Sequence, residues 1–318
     1  MKVLVTGASG MIGTAVVAST DRGVASLRLQ VGVGRGDPGL DPDASDASPS
    51  VACDITDLEA LRPMADGVDV VIHLAGPPSV AASFADPVEF LRAHVLGTAT
   101  IVRLCQELGI PRLVHVSSAE VYGRPHHNPV GELEPLAPRS PYAAAKVGAE
   151  SIIGAATRAG GLDAVILRPF SVYGPGARRD SVLGLILEQA LAGDSIRLRK
   201  LDGVRDYCFV ADLAAAVWRA ATVELAGLHT FNIASGRGTR VDELAMTTLT
   251  ARHGRVPEGA SVEARPGPAD DRPSEADIHE LVADVSRARD ELGWQATTPL
   301  VDGLALTLDW FADAMAAR

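Results

Sequence analysis

Aromatic residues make up only 4% of the 318 residues, cysteines number three, and Lys plus Arg total 29 against 40 Asp plus Glu, for a formal net charge of −11. Each scarcity excludes something. So few cations offer no broad basic face, and neither nucleic acid nor an anionic membrane surface is an expected partner. Cys53, Cys105 and Cys208 are odd in number and widely spaced, which argues against a disulfide framework or a zinc site and for a reducing compartment. No uncharged apolar run approaches the ~18 residues that a membrane span requires. The opening MKVLVTGASG runs directly into a strand pattern with no room for a secretory leader, so a cytoplasmic location is expected. His126 and His127 are adjacent with no third ligand in view, and no bound metal is expected.

Short apolar runs are plentiful and helix-length stretches separate them: VLVTG (3–7), LQVGV (29–33), VDVVIHLAG (68–76), RLVHVSS (112–118), DAVILRPF (163–170) and HTFNIAS (229–235). That alternation predicts an α/β fold, a doubly wound parallel sheet buried on both faces. The Asp-, Pro-, Gly- and Ser-rich stretch 35–50 and the Pro-rich stretch 123–141 read as loops. Helices are predicted near 181–193, 210–223, 241–253 and 302–317. The expected division is a Rossmann-like first domain over 1–168, to which 208–235 returns, and a smaller mixed α/β lobe from 169–207 and 236–318.

Behind the first strand stands GASGMIG, with Gly7, Gly10 and Gly13 in G-x-x-G-x-x-G spacing. The first glycine permits a tight turn, the second lets backbone approach a pyrophosphate, and the third lets helix pack on strand; the helix N-terminus favours the negative charge. Further along, SPYAAAK (140–146) places Tyr142 and Lys146 one helical turn apart, on one face. An ammonium beside a phenol and a positively charged nicotinamide bound next to it are together expected to draw the phenol's pKa from about 10 toward neutrality, as a proton-transferring group needs. Ser118 ends an apolar strand, where sites of open α/β sheets gather.

With SSAEVYG (117–123), LRPFSVYGPG (167–176), RDYCFVADL (205–213), FNIASG (231–236) and RPG (265–267) in the same order, the chain resembles the extended short-chain dehydrogenase/reductases that act on nucleotide sugars. The resemblance implies an enzyme with Ser118, Tyr142 and Lys146 as catalytic residues. It implies a dinucleotide held by Gly7, Gly10, Met11, Ile12, Gly13, Arg35, Asp54, Ile55, Leu74, Ala75, Gly76, Tyr142, Lys146 and Pro169. Ser118, Glu120, Ser171, Arg205 and Arg265 are implied to meet the nucleotide-linked sugar, with Arg205 and Arg265 on its diphosphate. A homodimer through the apolar stretches 90–108 and 143–157 is also implied.

The departures bear on the reaction. Similar sugar 4,6-dehydratases carry an Asp-Glu pair where this chain has Ala119 and Glu120, so dehydration is not expected. His94 replaces a frequent Asn and reads as a packing residue. At the end of the second predicted strand Gly34 replaces the usual acid and Arg35 follows, which suits the 2′-phosphate of NADP; a solvated Arg35, or Asp37 acting as the acid from a shifted register, are the other readings. NADP with NAD as the alternative makes a ketoreductase of a keto-deoxyhexose the leading expectation. A 4-epimerase with retained NAD follows, then a non-catalytic NADP-sensing protein. If Arg35 grips the phosphate, Arg35→Ala weakens NADPH by about tenfold to a hundredfold and leaves NADH nearly unchanged, as read by parallel fluorescence titrations.

Overall fold

A computed structural model describes residues 1–19, 25–28, 51–265, 273 and 276–316. Six parallel strands form the main sheet: β1 (Lys2–Thr6), β2 (Ala25–Arg28), β3 (Val70–His73), β4 (Arg112–Val116), β5 (Asp163–Pro169) and β9 (Leu228–Ile233), in the order β2-β1-β3-β4-β5-β9. Strand periodicity sorts the side chains between two cores. Val3 and Val5 face α1 (Met11–Ala18) and α8 (Val210–Thr222), while Leu4 faces α2 (Leu58–Leu61), α5 (Gly97–Leu108) and α6 (Pro141–Ala159). Burial on both faces is why these strands read as continuous apolar runs. The described β2 is ASLR, while the expected strand LQVGV (29–33), Gly34, Arg35, Asp37 and the loop 35–50 lie outside the described residues.

From β1 the chain goes to β2 on one side and then to β3 on the other. This reversal opens a crevice beyond the carboxyl ends of β1 and β3, the usual ligand position in such sheets. Into the next crossover go α3 (Val80–Ala85), α4 (Pro87–Leu91) and a π-helical turn, Arg92–Leu96, which runs into α5.

The smaller lobe contains β6 (Ser171–Tyr173), β8 (Val204–Phe209), β10 (Gly238–Arg240) and β12 (Glu280–Leu281) in one mixed sheet, and β7 (Ser195–Leu198) with β11 (Ser261–Ala264) in another. Its helices α7 (Val182–Ala192), α9 (Val241–His253) and α11 (Leu300–Ala316) enclose a third core around Tyr173, Ile186, Leu244, Leu304 and Phe311, and α10 (Ser286–Asp290) returns to the first core through Ala288. No helix among the described residues is long and apolar enough to cross a membrane.

One polar row interrupts the sheet. Thr6, His73 and His115 are in register across β1, β3 and β4, each at most 1% exposed. Thr6 Oγ1 accepts from the backbone N–H groups of Leu74 and Ala75, at 3.2 and 3.3 Å, and so has its proton to give to His73 Nδ1 at 2.8 Å. His73 Nε2 then donates to Thr98 Oγ1 at 3.1 Å. Burial, with the charge of Lys146, pushes His73 down to about 3 and His115 well below its usual value. A depressed folded pKa leaves stability intact above the unfolded value near 6.5 and removes it below, by about 1.4 kcal/mol per pH unit for each imidazole. We expect unfolding free energy to fall steeply between about pH 6.5 and 4, and His115→Leu to flatten that fall, as followed by urea titrations across pH.

Candidate active site

The crevice is built from the ends of β1, β3 and β4 and the first turn of α6. Gly7 leaves β1 with φ +73°, and a Cβ there would lie 2.7 Å from the Ala75 nitrogen; one on Gly13 would lie 2.1 Å from the Gly7 carbonyl oxygen. Only glycine allows this interlock of β1, α1 and the turn after β3. Gly10, the residue preceding α1, supplies no capping side chain. The first-turn N–H groups of Met11, Ile12 and Gly13 are therefore left for another acceptor, a cradle that fits a dinucleotide pyrophosphate. Leu74 and Ala75, whose N–H groups donate to Thr6, form the opposite lip together with Gly76.

Ser140 accepts from Ala143 N at 3.1 Å and so starts α6, with Pro141 in the first turn. Tyr142 and Lys146 both face inward, 8% and 5% exposed. Ser118 lies close enough to Tyr142 to pull its pKa down, and Lys146 Nζ donates to the Val116 carbonyl at 2.8 Å while standing 5.9 Å from the Tyr142 ring centroid. The three expected catalytic side chains are thus brought together.

The electrostatics correct one expectation. Tyr142 is pushed up, to about 12, because burial outweighs the pull of Ser118 and Glu120 adds a like charge. In the free protein it is a phenol, with the Lys146 ammonium directed at a carbonyl rather than at the hydroxyl. Burial lowers Lys146 to about 8, against the opposing pull of Glu150. The site carries a protonated acid and a cation at neutral pH.

Glu150 lies one turn beyond Lys146 and was not apparent from the sequence. It accepts from Arg168 Nε at 3.0 Å, from Arg168 Nη2 at 2.6 Å and from Ser117 Oγ at 2.5 Å, and both partners of the ion pair are under 10% exposed. Arg168 Nη1 also donates to Tyr122 Oη at 2.9 Å, which donates to Asn232 Oδ1 at 2.6 Å. The signal available was a third polar residue, at i+8, in the Tyr142–Lys146 stripe, and an arginine inside the apolar run 163–170.

The other residues expected at the site have the following surroundings. Ile55 is a core residue, fully buried in the second core with its side chain against Gly97; only its backbone is available to a ligand. Asp54 accepts from Thr56 N and Oγ1, at 2.9 and 2.8 Å, and pairs with Arg92. Arg205 spends its guanidinium on the carbonyls of Val204, Ile278 and His279, at 2.9, 2.6 and 3.2 Å, tying β8 to the segment before β12 rather than standing open to a diphosphate. Arg265 is exposed at the end of β11, its N–H on Leu198 O at 2.8 Å. Ser171 is half-buried at the start of β6 and Pro169 is buried at the end of β5. Glu120 gives its N–H to Ser118 Oγ at 3.2 Å. His126 and His127 both meet Glu134, at 2.9 and 3.3 Å. Beside the start of α6 a cavity of about 410 Å³ is lined by Phe84, Ala137, Arg139 and Ala276 among others.

The model of the NAD dependent epimerase/dehydratase family matches residues 3–234, the whole of the main sheet and the crevice. The chain belongs to that family. Among its curated relatives, a UDP-glucose 4-epimerase of Mycolicibacterium smegmatis is 34% identical over 98% of each chain. A dTDP-glucose 4,6-dehydratase of Streptomyces antibioticus is 30% identical over 98% of this chain and 93% of that one. The structure of MoeE5 in complex with UDP-glucose and NAD superposes with a TM-score of 0.83 at 28% identity, over 99% of this chain and all of the other. The epimerase/dehydratase relatives act on nucleotide sugars, and NAD occupies neighbouring structures of the family.

The buried pair within this epimerase/dehydratase fold gives a stability test. Glu150→Gln leaves Arg168 buried without its counter-charge and should cost about 3–5 kcal/mol, whereas Glu150→Gln with Arg168→Met should recover most of the loss. Urea unfolding of the two variants and wild type measures both.

Proposed function

We propose that this protein is a nucleotide-sugar 4-epimerase with retained NAD, working through Ser118, Tyr142 and Lys146. The observation that carries the choice is the turn after β4. Ser118 stands beside Tyr142 there, yet the residue between Ser118 and Glu120 is Ala119, 2% exposed. A methyl group cannot move the proton that elimination of water from the sugar requires, so oxidation and reduction at one carbon remain. The full-length likeness to a UDP-glucose 4-epimerase supports this over the dehydratases that are also among the relatives.

As the phenolate, Tyr142 Oη takes the proton of the sugar hydroxyl at the reacting carbon, while Ser118 Oγ holds the same oxygen. Bound NAD, held at the turn of Gly7, Gly10 and Gly13, would supply the hydride acceptor and donor for that carbon. Tyr142 then gives the proton back, so no proton or electron is gained overall. Lys146 holds the cofactor side of the site and, below about pH 8, supplies the positive charge that favours the phenolate Tyr142 has to become before it takes the proton.

An NADP-dependent 4-ketoreductase is the second reading. It rests on Gly34 and Arg35 in the sequence, both outside the described residues. A non-catalytic sensor has less support, since it has no use for Ser118, Tyr142 and Lys146 gathered in one cleft. A homodimer is proposed through α4, the π-helical turn and α6, where Val88, Leu91 and Leu96 expose an apolar row, 71%, 47% and 51% accessible.

The protein purified without added cofactor should carry NAD and convert UDP-glucose to its C4 epimer. Tyr142→Phe should fold and bind NAD but lose two to four orders of magnitude of turnover, about the worth of a positioned acid/base. A preparation free of NAD that instead consumes NADPH with a 4-keto sugar would replace the epimerase by the reductase.

A further inference from the structure

His94 sits in the π-helical turn Arg92–Leu96, a distortion that recurs where a helix has to aim a side chain at a site. It is 1% exposed and touches both sides of the crevice. Its Nε2 lies 3.0 Å from the carbonyl of Pro77. A carbonyl only accepts, so Nε2 carries the proton and Nδ1 is a bare acceptor.

On its other side the imidazole meets the Tyr142 ring edge-on, with centroids 5.5 Å apart and planes at 76°. Phe90 packs against the same phenol ring at 6.2 Å and 88°. The imidazole also lies hard against Gly76, where a Cβ would come within 2.2 Å of His94 Cε1 and 2.5 Å of Nδ1. Burial, then the charge of Lys146, pushes His94 down to about 2, so the ring is uncharged at working pH. Its Nδ1 has no partner among the described residues. Packing alone does not call for such an uncompensated acceptor, since Phe would fill the space without one. The expected satisfied packing residue is therefore satisfied at one nitrogen only.

We propose that His94 is a positioning residue, an uncharged imidazole that holds the ring of Tyr142 and the turn Gly76–Pro77 at one fixed spacing across the crevice. Its N–H pins the turn on the cofactor side and its edge pins the phenol on the sugar side. The proposal rests on the reading that Tyr142 transfers the proton and that the 74–76 lip faces the cofactor.

Two substitutions separate the two contacts. His94→Phe keeps an aromatic edge for Tyr142 but loses the bond to Pro77. It should weaken NAD binding about fivefold, the worth of one net hydrogen bond, with kcat at saturating cofactor nearly unchanged. His94→Gln keeps an N–H donor but no ring. It should retain NAD affinity within about twofold and lose roughly tenfold in kcat at an unchanged KM for the sugar, the size of effect that a misplaced acid/base produces. Fluorescence titration gives the affinities, steady-state kinetics the split, and thermal melts show that the variants fold.

A merely structural His94 would move all three quantities together in both variants, and that outcome, or no change in either, overturns the proposal. So does loss of an acid limb near pH 6.5 from the pH profile of His94→Phe, which would make His94 a titrating group. If His94→Gln does not fold, the phenylalanine variant alone decides. Tyr142→Phe is assayed alongside: residual wild-type turnover there defeats the reading of the site itself, whereas an inactive Tyr142→Phe beside unaffected His94 variants defeats only the positioning proposal.

Discussion

The buried ion pair between Arg168 of β5 and Glu150 of α6 is the contact through which the catalytic helix takes its position. Two charges removed from water are unfavourable unless every remaining donor and acceptor is met. Here the carboxylate takes both the Arg168 fork and the Ser117 hydroxyl, and the guanidinium goes on to Tyr122 and to the Glu132 carbonyl. Ser117 adjoins Ser118 in the chain, and Lys146 stands one helical turn before Glu150. A single carboxylate thus fixes the strand-end serine and the lysine relative to each other. The chain of bonds continues through Tyr122 to Asn232, whose amide reaches the carbonyls of Val130 and Asp284. The smaller lobe is thereby tied to the same carboxylate.

Around that anchor the site separates its charges by depth. The protein as a whole is acidic, yet the deep wall of the crevice holds a lysine near its titration range and three imidazoles kept neutral by burial. Uncharged histidines next to an ammonium add polarity without repulsion. The surface arginines, by contrast, are mostly spent locally, as Arg92 on Asp54, Arg178 on Asp180 and Arg179 on Glu188.

Much of this was legible in the sequence where one element carries the whole signal. Strands β1, β3, β4, β5 and β9 declared themselves because burial on both faces leaves no polar alternation to confuse them, and Tyr142 with Lys146 needs only helical spacing. The glycine loop was legible because its three residues answer steric demands within one turn. What the sequence could not carry were relations between elements. Glu150 and Arg168 become partners only when α6 crosses β5, and Ile55, beside a plausible site residue, proves to be core because Gly97 leaves room for it. The rise in the Tyr142 pKa depends on how deeply the phenol is buried and on where the Lys146 ammonium points, neither of which spacing reveals. Arg205 sits in an expected motif, yet its donors go to nearby carbonyls once β8 and the segment before β12 are adjacent.

The π-helical turn at Arg92–Leu96 makes this crossover one residue longer than a regular helix needs. Taking a single residue out of it would leave an ordinary α-helix whose two halves keep their relative orientation, because the wider i→i+5 turn absorbs its extra residue within itself. The apolar stripe of α5 packs on the sheet through Ile101, Leu104 and Cys105 and would stay in place, so what changes is the turn itself, in which His94 sits. A one-residue deletion here is thus tolerable to the helix and harmful to the cleft. That places the length of this segment under a constraint set by chemistry rather than by folding.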